Sequence, residues 1–183
     1  MKLTSTFIIA FLLTACAADP VNIQLVAEEE VSLLAAPTRS LSEYAEFELL
    51  DMTFSAAIRQ EPGKMREARE FESAFHDKIA PLLLDWDDAN IEGASGKLIV
   101  ETKLERLKVV SGGARFWAGG LAGESYIDMN LRLIDASSGA VISQVLIRRS
   151  ASAMTGAWSI GKSDQNLDQY VVSIVYQYLT SYY

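Results

Sequence analysis

The sequence predicts an α+β domain: an antiparallel sheet of about four strands with two helices packed on one face, in the order β-α-β-β-β-α. Three observations predict it. Apolar and polar residues alternate through Leu98, Val100, Thr102 and Leu104 and again through Ile127, Met129, Leu131 and Leu133, the period of half-buried strands. Ala136-Ser137-Ser138-Gly139 separates the second run from another, Val141 to Arg149, which makes a hairpin. Two stretches carry apolar residues at steps of three and four: Ala68, Phe71, Phe75, Ile79, Leu82 and Leu83, and Leu167, Val171, Ile174, Val175, Tyr178 and Tyr182. That spacing defines one face of a helix.

Residues 1–15 read as a signal peptide. Lys2 is followed by a short apolar run, Phe7 to Leu13, and by small residues. The run is far shorter than the roughly 20 residues that span a bilayer as a helix. It ends in Leu13-Thr14-Ala15-Cys16, which resembles the lipobox of bacterial lipoproteins, whose cysteine is acylated and becomes the first residue of the mature chain. Cys16 is therefore the expected lipid-attachment site. It is the sole cysteine, so no internal disulfide can form and the fold must rest on packing. Ala17 follows it. An Asp there would resemble the inner-membrane retention signal of Gram-negative lipoproteins, so its absence implies the outer membrane.

Removing residues 1–15 leaves about 168 of the 183 residues, enough for one domain. Half of the residues are apolar, which supports a core. The formal charge of −8 argues against nucleic acid as a partner. Residues 16–42 read as the lipidated N-terminus and a tether, broken by Pro20 and Pro37 and charged by Glu28-Glu29-Glu30, with a short strand at Val31 to Ala36. Residues 43–183 form the domain. Its first strand is Phe47 to Phe54, and Pro62-Gly63 breaks the chain before the helix of residues 64–84. Pro81 is expected to kink or end that helix. For the last segment, Ser163 and Asp164 suit a helix start. The alternation of Val172, Ile174, Tyr176 and Tyr178 leaves a strand open as the alternative.

A Gly112-Gly113-Ala114-Arg115 opening leads to the glycine-rich stretch Phe116 to Gly123. A strand ending in Leu133-Ile134-Asp135 follows, then Ser138-Gly139 and a second strand. This pattern resembles bacterial lipoproteins grouped as domain of unknown function 4410. The resemblance implies a periplasmic α+β domain, distantly similar to envelope-assembly lipoproteins such as the curli secretion lipoprotein. It implies no catalytic residues.

Four constellations were weighed for chemistry. Gly156-Ala157-Trp158-Ser159-Ile160-Gly161-Lys162-Ser163 matches the phosphate-binding P-loop pattern. However, only about 20 residues follow it, too few for the parallel strands and acidic Mg²⁺ ligand such a fold needs, and an exported protein meets little nucleotide. It is expected to be a loop ending in a helix cap, with no nucleotide bound. His76 is the only histidine; Glu72 stands one turn before it and Asp77 beside it. With no second histidine and no thiol near, it is expected to be a polar residue on the exposed flank of a helix. Asp85, Asp87 and Asp88 surround Trp86 but lack the calcium-loop spacing, so a solvated helix end is expected. Of the tyrosines near the C-terminus (Tyr170, Tyr176, Tyr178, Tyr182 and Tyr183), Tyr178 is expected in the core and most others on the surface.

Arg115, Phe116 and Trp117 remain as a candidate partner contact, ahead of Gly119 and Gly123 at the G-x-x-x-G spacing. The alternative is a loop that closes over the sheet. The expectation is thus a lipid-anchored, non-catalytic binding or assembly accessory on the periplasmic face of the outer membrane. It needs no cofactor or metal, and its partner is an envelope protein or a second copy. The alternative is an oligomeric component of an outer-membrane transport or secretion system.

Overall fold

A computed structural model describes residues 27–89, 91–109, 124–150 and 167–183. Five strands form one sheet: β1 (Glu46–Leu49), β2 (Thr53–Phe54), β3 (Lys97–Lys108), β4 (Tyr126–Asp135) and β5 (Val141–Ser150). Helices α1 (Ala56–Arg59) and α2 (Pro62–Asp87) precede β3, and α3 (Leu167–Ser181) follows β5. The order across the sheet is β1-β3-β4-β5, with β2 also paired to β3.

The mixed α/β class and the helix-covered sheet agree with expectation, but the sheet is larger and its order differs. The expected first strand, Phe47 to Phe54, is two short strands, and both run parallel to β3. Between them Glu72 of α2 accepts a hydrogen bond from the Met52 N–H at 3.0 Å, which draws the backbone out of the ladder. The parallel pairing follows from the crossover: two parallel neighbours need a long connection, and α2 supplies it. The sheet is therefore mostly, not wholly, antiparallel.

The alternation expected for β3, β4 and β5 holds. Val100, Thr102 and Leu104 lie opposite Leu133, Leu131 and Met129, which lie opposite Ser143, Val145 and Ile147. All nine are buried. The seven apolar ones share one core with Phe71, Phe75 and Ile79 of α2 and with Val171, Ile174 and Tyr178 of α3.

Two helix expectations are settled. α2 runs past Pro81 to Asp87. Proline removes the bond to the carbonyl of Asp77, and both residues are exposed, so water can serve that carbonyl. The C-terminal segment is a helix, with eight buried side chains from Leu167 to Leu179. Burying one such side chain is worth about 1.5–3 kcal/mol, more than the ~1 kcal/mol span of strand propensity, so packing overrides the β-branched composition.

Residues 27–43 lie against the domain. Residues 27–31 are helical where a strand was expected from Val31, and Ala27, Val31 and Leu41 are buried. The segment then runs alongside β5 in the opposite direction. Glu30 pairs with Arg149, the Ala35 carbonyl accepts from the Tyr178 hydroxyl at 2.7 Å, and the Thr38 N–H donates to the Ile142 carbonyl at 2.8 Å.

Candidate functional site

Cys16, the Arg115-Phe116-Trp117 contact and the P-loop-like stretch Gly156 to Ser163 all lie outside the described residues. Their attachment points are described. Lys108 and Tyr126 pair at one end of the sheet, and Tyr126 pairs with Ser150. Glu30, on Arg149, stands at that same end. The N-terminal segment and both long connections therefore meet the domain at the end opposite the 136–139 turn.

That turn is built on Asp135. One carboxylate oxygen accepts from the backbone N–H of Ser137 (3.0 Å) and Ser138 (2.9 Å) and from both serine hydroxyls (2.5 and 3.0 Å). The other accepts from Arg39 at 2.9 Å and from the Tyr44 hydroxyl at 3.2 Å. These donors, the Ser137 hydroxyl first, hold the Asp135 carboxyl well below the usual carboxylate range. With six donors on two oxygens, Asp135 is a structural knot rather than an acid or base. The Asp-x-x-x-Gly signal was visible in the sequence as a turn, but the reach back to Arg39 and Tyr44 was not. Gly139 completes the turn with φ +70°.

The open face of the sheet carries rows of side chains across β3, β4 and β5: Ile99, Ile134 and Val141; Glu101, Arg132 and Gln144; Lys103, Asn130 and Leu146; Arg106, Asp128 and Arg148. Arg132 reaches Glu101 at 2.5 Å. Asp128 meets Arg106 at 3.3 Å and Arg148 at 4.0 Å. Arg106 also lies over the Tyr126 ring, 4.4 Å from its centroid. Exposed pairs of this kind are worth roughly 0.2–1 kcal/mol each, so they pattern the face more than they hold the fold.

The remaining candidates are mostly engaged in structure. Glu72, considered beside His76 for a metal, is held by Met52 and by Arg69 at 2.6 Å. His76 is half-buried with its ring edge toward Phe75. Asp87, expected at a solvated helix end, accepts the Phe47 N–H at 2.6 Å, while Asp85 and Asp88 are exposed. Tyr178 is core as expected; Tyr170 is buried too, and Tyr176, Tyr182 and Tyr183 are half-buried. A cavity of about 160 Å³ opens between α2 and the sheet end, lined by Glu67, Glu70, Phe71, Leu107, Val109, Ile127 and Asp168. Among the described residues no three His, Cys, Asp or Glu side chains gather to hold a metal. Among them, too, no helix is long and apolar enough to cross a membrane.

Sequence reading missed the pairing of Glu30 with Arg149, whose side chain is 18 % exposed. Burial raises the pKa of the neighbouring Tyr170 phenol, and Glu30 adds to the shift.

No curated protein matches this chain. Among solved structures it is similar to the PelC dodecamer from Paraburkholderia phytofirmans, at 13 % identity over 79 % of this chain and 94 % of that one, with a TM-score of 0.46. A single-residue variant of that dodecamer matches at 12 % identity over 79 % and 92 %, with a TM-score of 0.45. A Xanthomonas campestris protein of family DUF330 matches at 10 % identity over 81 % and 92 %, with a TM-score of 0.37. The model of one protein family, the domain of unknown function DUF4410, matches residues 42–156. The chain belongs to the DUF4410 family.

Proposed function

We propose that this protein is a lipid-anchored, non-catalytic binding or assembly accessory of the cell envelope, held through Cys16 on the periplasmic face of the outer membrane. The observation that carries the anchor is the lipobox-like Leu13-Thr14-Ala15-Cys16 behind a short apolar run. The absence of catalysis is supported by the use of the carboxylates. Asp135, Glu72 and Asp87 spend their oxygens on backbone and side-chain donors within the fold.

The partner contact is assigned to Arg115, Phe116 and Trp117. The segment that contains them joins Lys108 to Tyr126, and those two residues stand at the end of the domain where the N-terminal segment attaches.

Labelling cells with a fatty-acid analogue tests the anchor: label is expected on the wild-type chain and none on Cys16→Ser. Equal label on both would end the lipoprotein reading. Crosslinking in whole cells with the native anchor then identifies what is held. Loss of the captured partner in a stably folded Trp117→Asp variant is expected; collapse of the fold with no change in capture would place Trp117 in the core. Light scattering separates the oligomeric alternative, which requires a stable ring.

A further inference from the structure

β5 ends the sheet, and it is a long edge, ten residues from Val141 to Ser150 with no proline. Such an edge offers unpaired N–H and C=O groups to any other strand, and proteins commonly cover it. Here the cover is residues 27–38, tied at three places. Glu30 meets Arg149 at one end, and the Thr38 N–H bonds Ile142 at the other. Between them the Tyr178 hydroxyl gives its only proton to the Ala35 carbonyl, so the Ser143 hydroxyl, 2.6 Å away, donates to the Tyr178 oxygen. Residues 27–38 are not a sixth strand. Among the described residues, one backbone–backbone bond ties them to β5, from the Thr38 N–H to the Ile142 carbonyl. Ala27 and Val31 seat the cover in the core, but none of its ties is a rung of the sheet, so it can leave without breaking the ladder.

We propose that residues 27–38 are a displaceable strap, and that the edge they cover accepts the β5 of a second copy, antiparallel and centred on Leu146. Three features of β5 select that occupant. Gln144, Leu146 and Arg148 form its exposed row, and Leu146 is 42 % exposed. Antiparallel pairing about Leu146 sets that leucine against its own copy and Gln144 against Arg148, so an amide oxygen faces a guanidinium. Parallel in-register pairing would set Arg148 on Arg148, and like charges directly opposite are destabilising. Of the two in-register arrangements, the antiparallel one alone keeps Arg148 off its own copy, and the strand carries no acidic residue to offset that contact. The result is a two-fold contact in which the same patch serves both copies. The proposal does not rest on the lipid anchor.

The test uses the full chain with Cys16→Ser, so that an introduced thiol is the only one. Glu30→Lys sets two cations together and releases the strap; Arg149→Glu does the same with two anions, should the first variant fold poorly. Circular dichroism checks that each remains folded. Sedimentation is expected to show a monomer for the parent and a dimer for the released chains at tens of micromolar. Leu146→Cys is expected to form a disulfide dimer at least ten-fold faster in the released background than in the parent. Leu84→Cys, exposed on α2, is expected to show no such gain. A folded, released chain that stays monomeric at hundreds of micromolar overturns the proposal. So does a dimer or aggregate that crosslinks no faster at Leu146 than at Leu84.

Discussion

Trp86 and Tyr183 stack face to face, their ring centroids 3.9 Å apart and their planes within 1° of parallel. The Phe47 ring meets both edge-on, at 5.2 and 6.0 Å. Three distant parts of the chain therefore join in one aromatic cluster: the end of α2, the start of β1 and the last residue. Burial raises the Tyr183 phenol pKa, and Asp87 adds to the shift.

Tyr183→Ala should lower stability by about 1–2 kcal/mol, since aromatic pairs contribute ~0.5–1.5 kcal/mol beyond the area they bury. Trp86→Ala should cost more, about 3–5 kcal/mol. Urea unfolding followed by circular dichroism measures both. An unchanged midpoint in Tyr183→Ala would show that the last residue is not part of the fold.

Asp135 makes stability depend on pH in one direction. Its carboxyl titrates lower in the folded chain than in the unfolded one. The stabilisation is therefore fully present above the unfolded value of about 3.9, and it is lost as pH falls below that toward the folded value. Asp135→Asn should be less stable at neutral pH, because an amide sets a donor where Arg39 or the serines also donate. Its stability should also change less between neutral pH and about pH 2 than that of the parent. Thermal melts across that range decide; parallel curves for the two chains would remove Asp135 as the cause.

The hairpin and the helices were legible because each is written locally. Ile127 to Leu133 alternates without a break, and Phe71, Phe75 and Ile79 repeat at one helical face. The parallel pairing of Glu46–Leu49 to β3 was not legible. The alternation of a short strand is the same in either direction, and only the helix between Phe54 and Lys97 hinted at a crossover. Nor could the sequence show residues 27–43 against the core. Their composition reads as linker, and what holds them is partners more than 100 residues away, Ile142 and Arg149 among them. Of the candidate site, the Asp135 turn was visible and its hold on Arg39 was not, for the same reason.

Tyr178→Phe should loosen residues 35–38 selectively. Among the described residues, the phenol is the group that ties Ala35, through its carbonyl, to Ser143. Its loss leaves a carbonyl and a hydroxyl unpaired, at a cost of about 1–3 kcal/mol. Hydrogen exchange should quicken first at Thr38, whose N–H bonds Ile142. Exchange that quickens evenly through α3 instead would mean that Tyr178 supports the helix rather than the strap.

Gly139→Ala should destabilise the hairpin by about 1–2 kcal/mol. A methyl group there would touch nothing within 4 Å, so the cost is the backbone alone, held at φ +70°. Gly139→Asn, which tolerates that conformation better, should recover part of the loss in the same denaturation assay.

If Cys16 carries a lipid as proposed, the docking of residues 27–43 also limits how far the domain can stand from it. Had the whole stretch from Cys16 to Ser42 been free, the domain could have roamed to about 90 Å from the lipid. With Ala27 seated in the core, eleven steps of chain separate it from Cys16, a span of at most about 40 Å. That span is less than half of the longer one. With Cys16 acylated as proposed, the end of the domain that holds Glu30, Lys108, Tyr126 and Ser150 would face the lipid, and the Asp135 turn would face away from it.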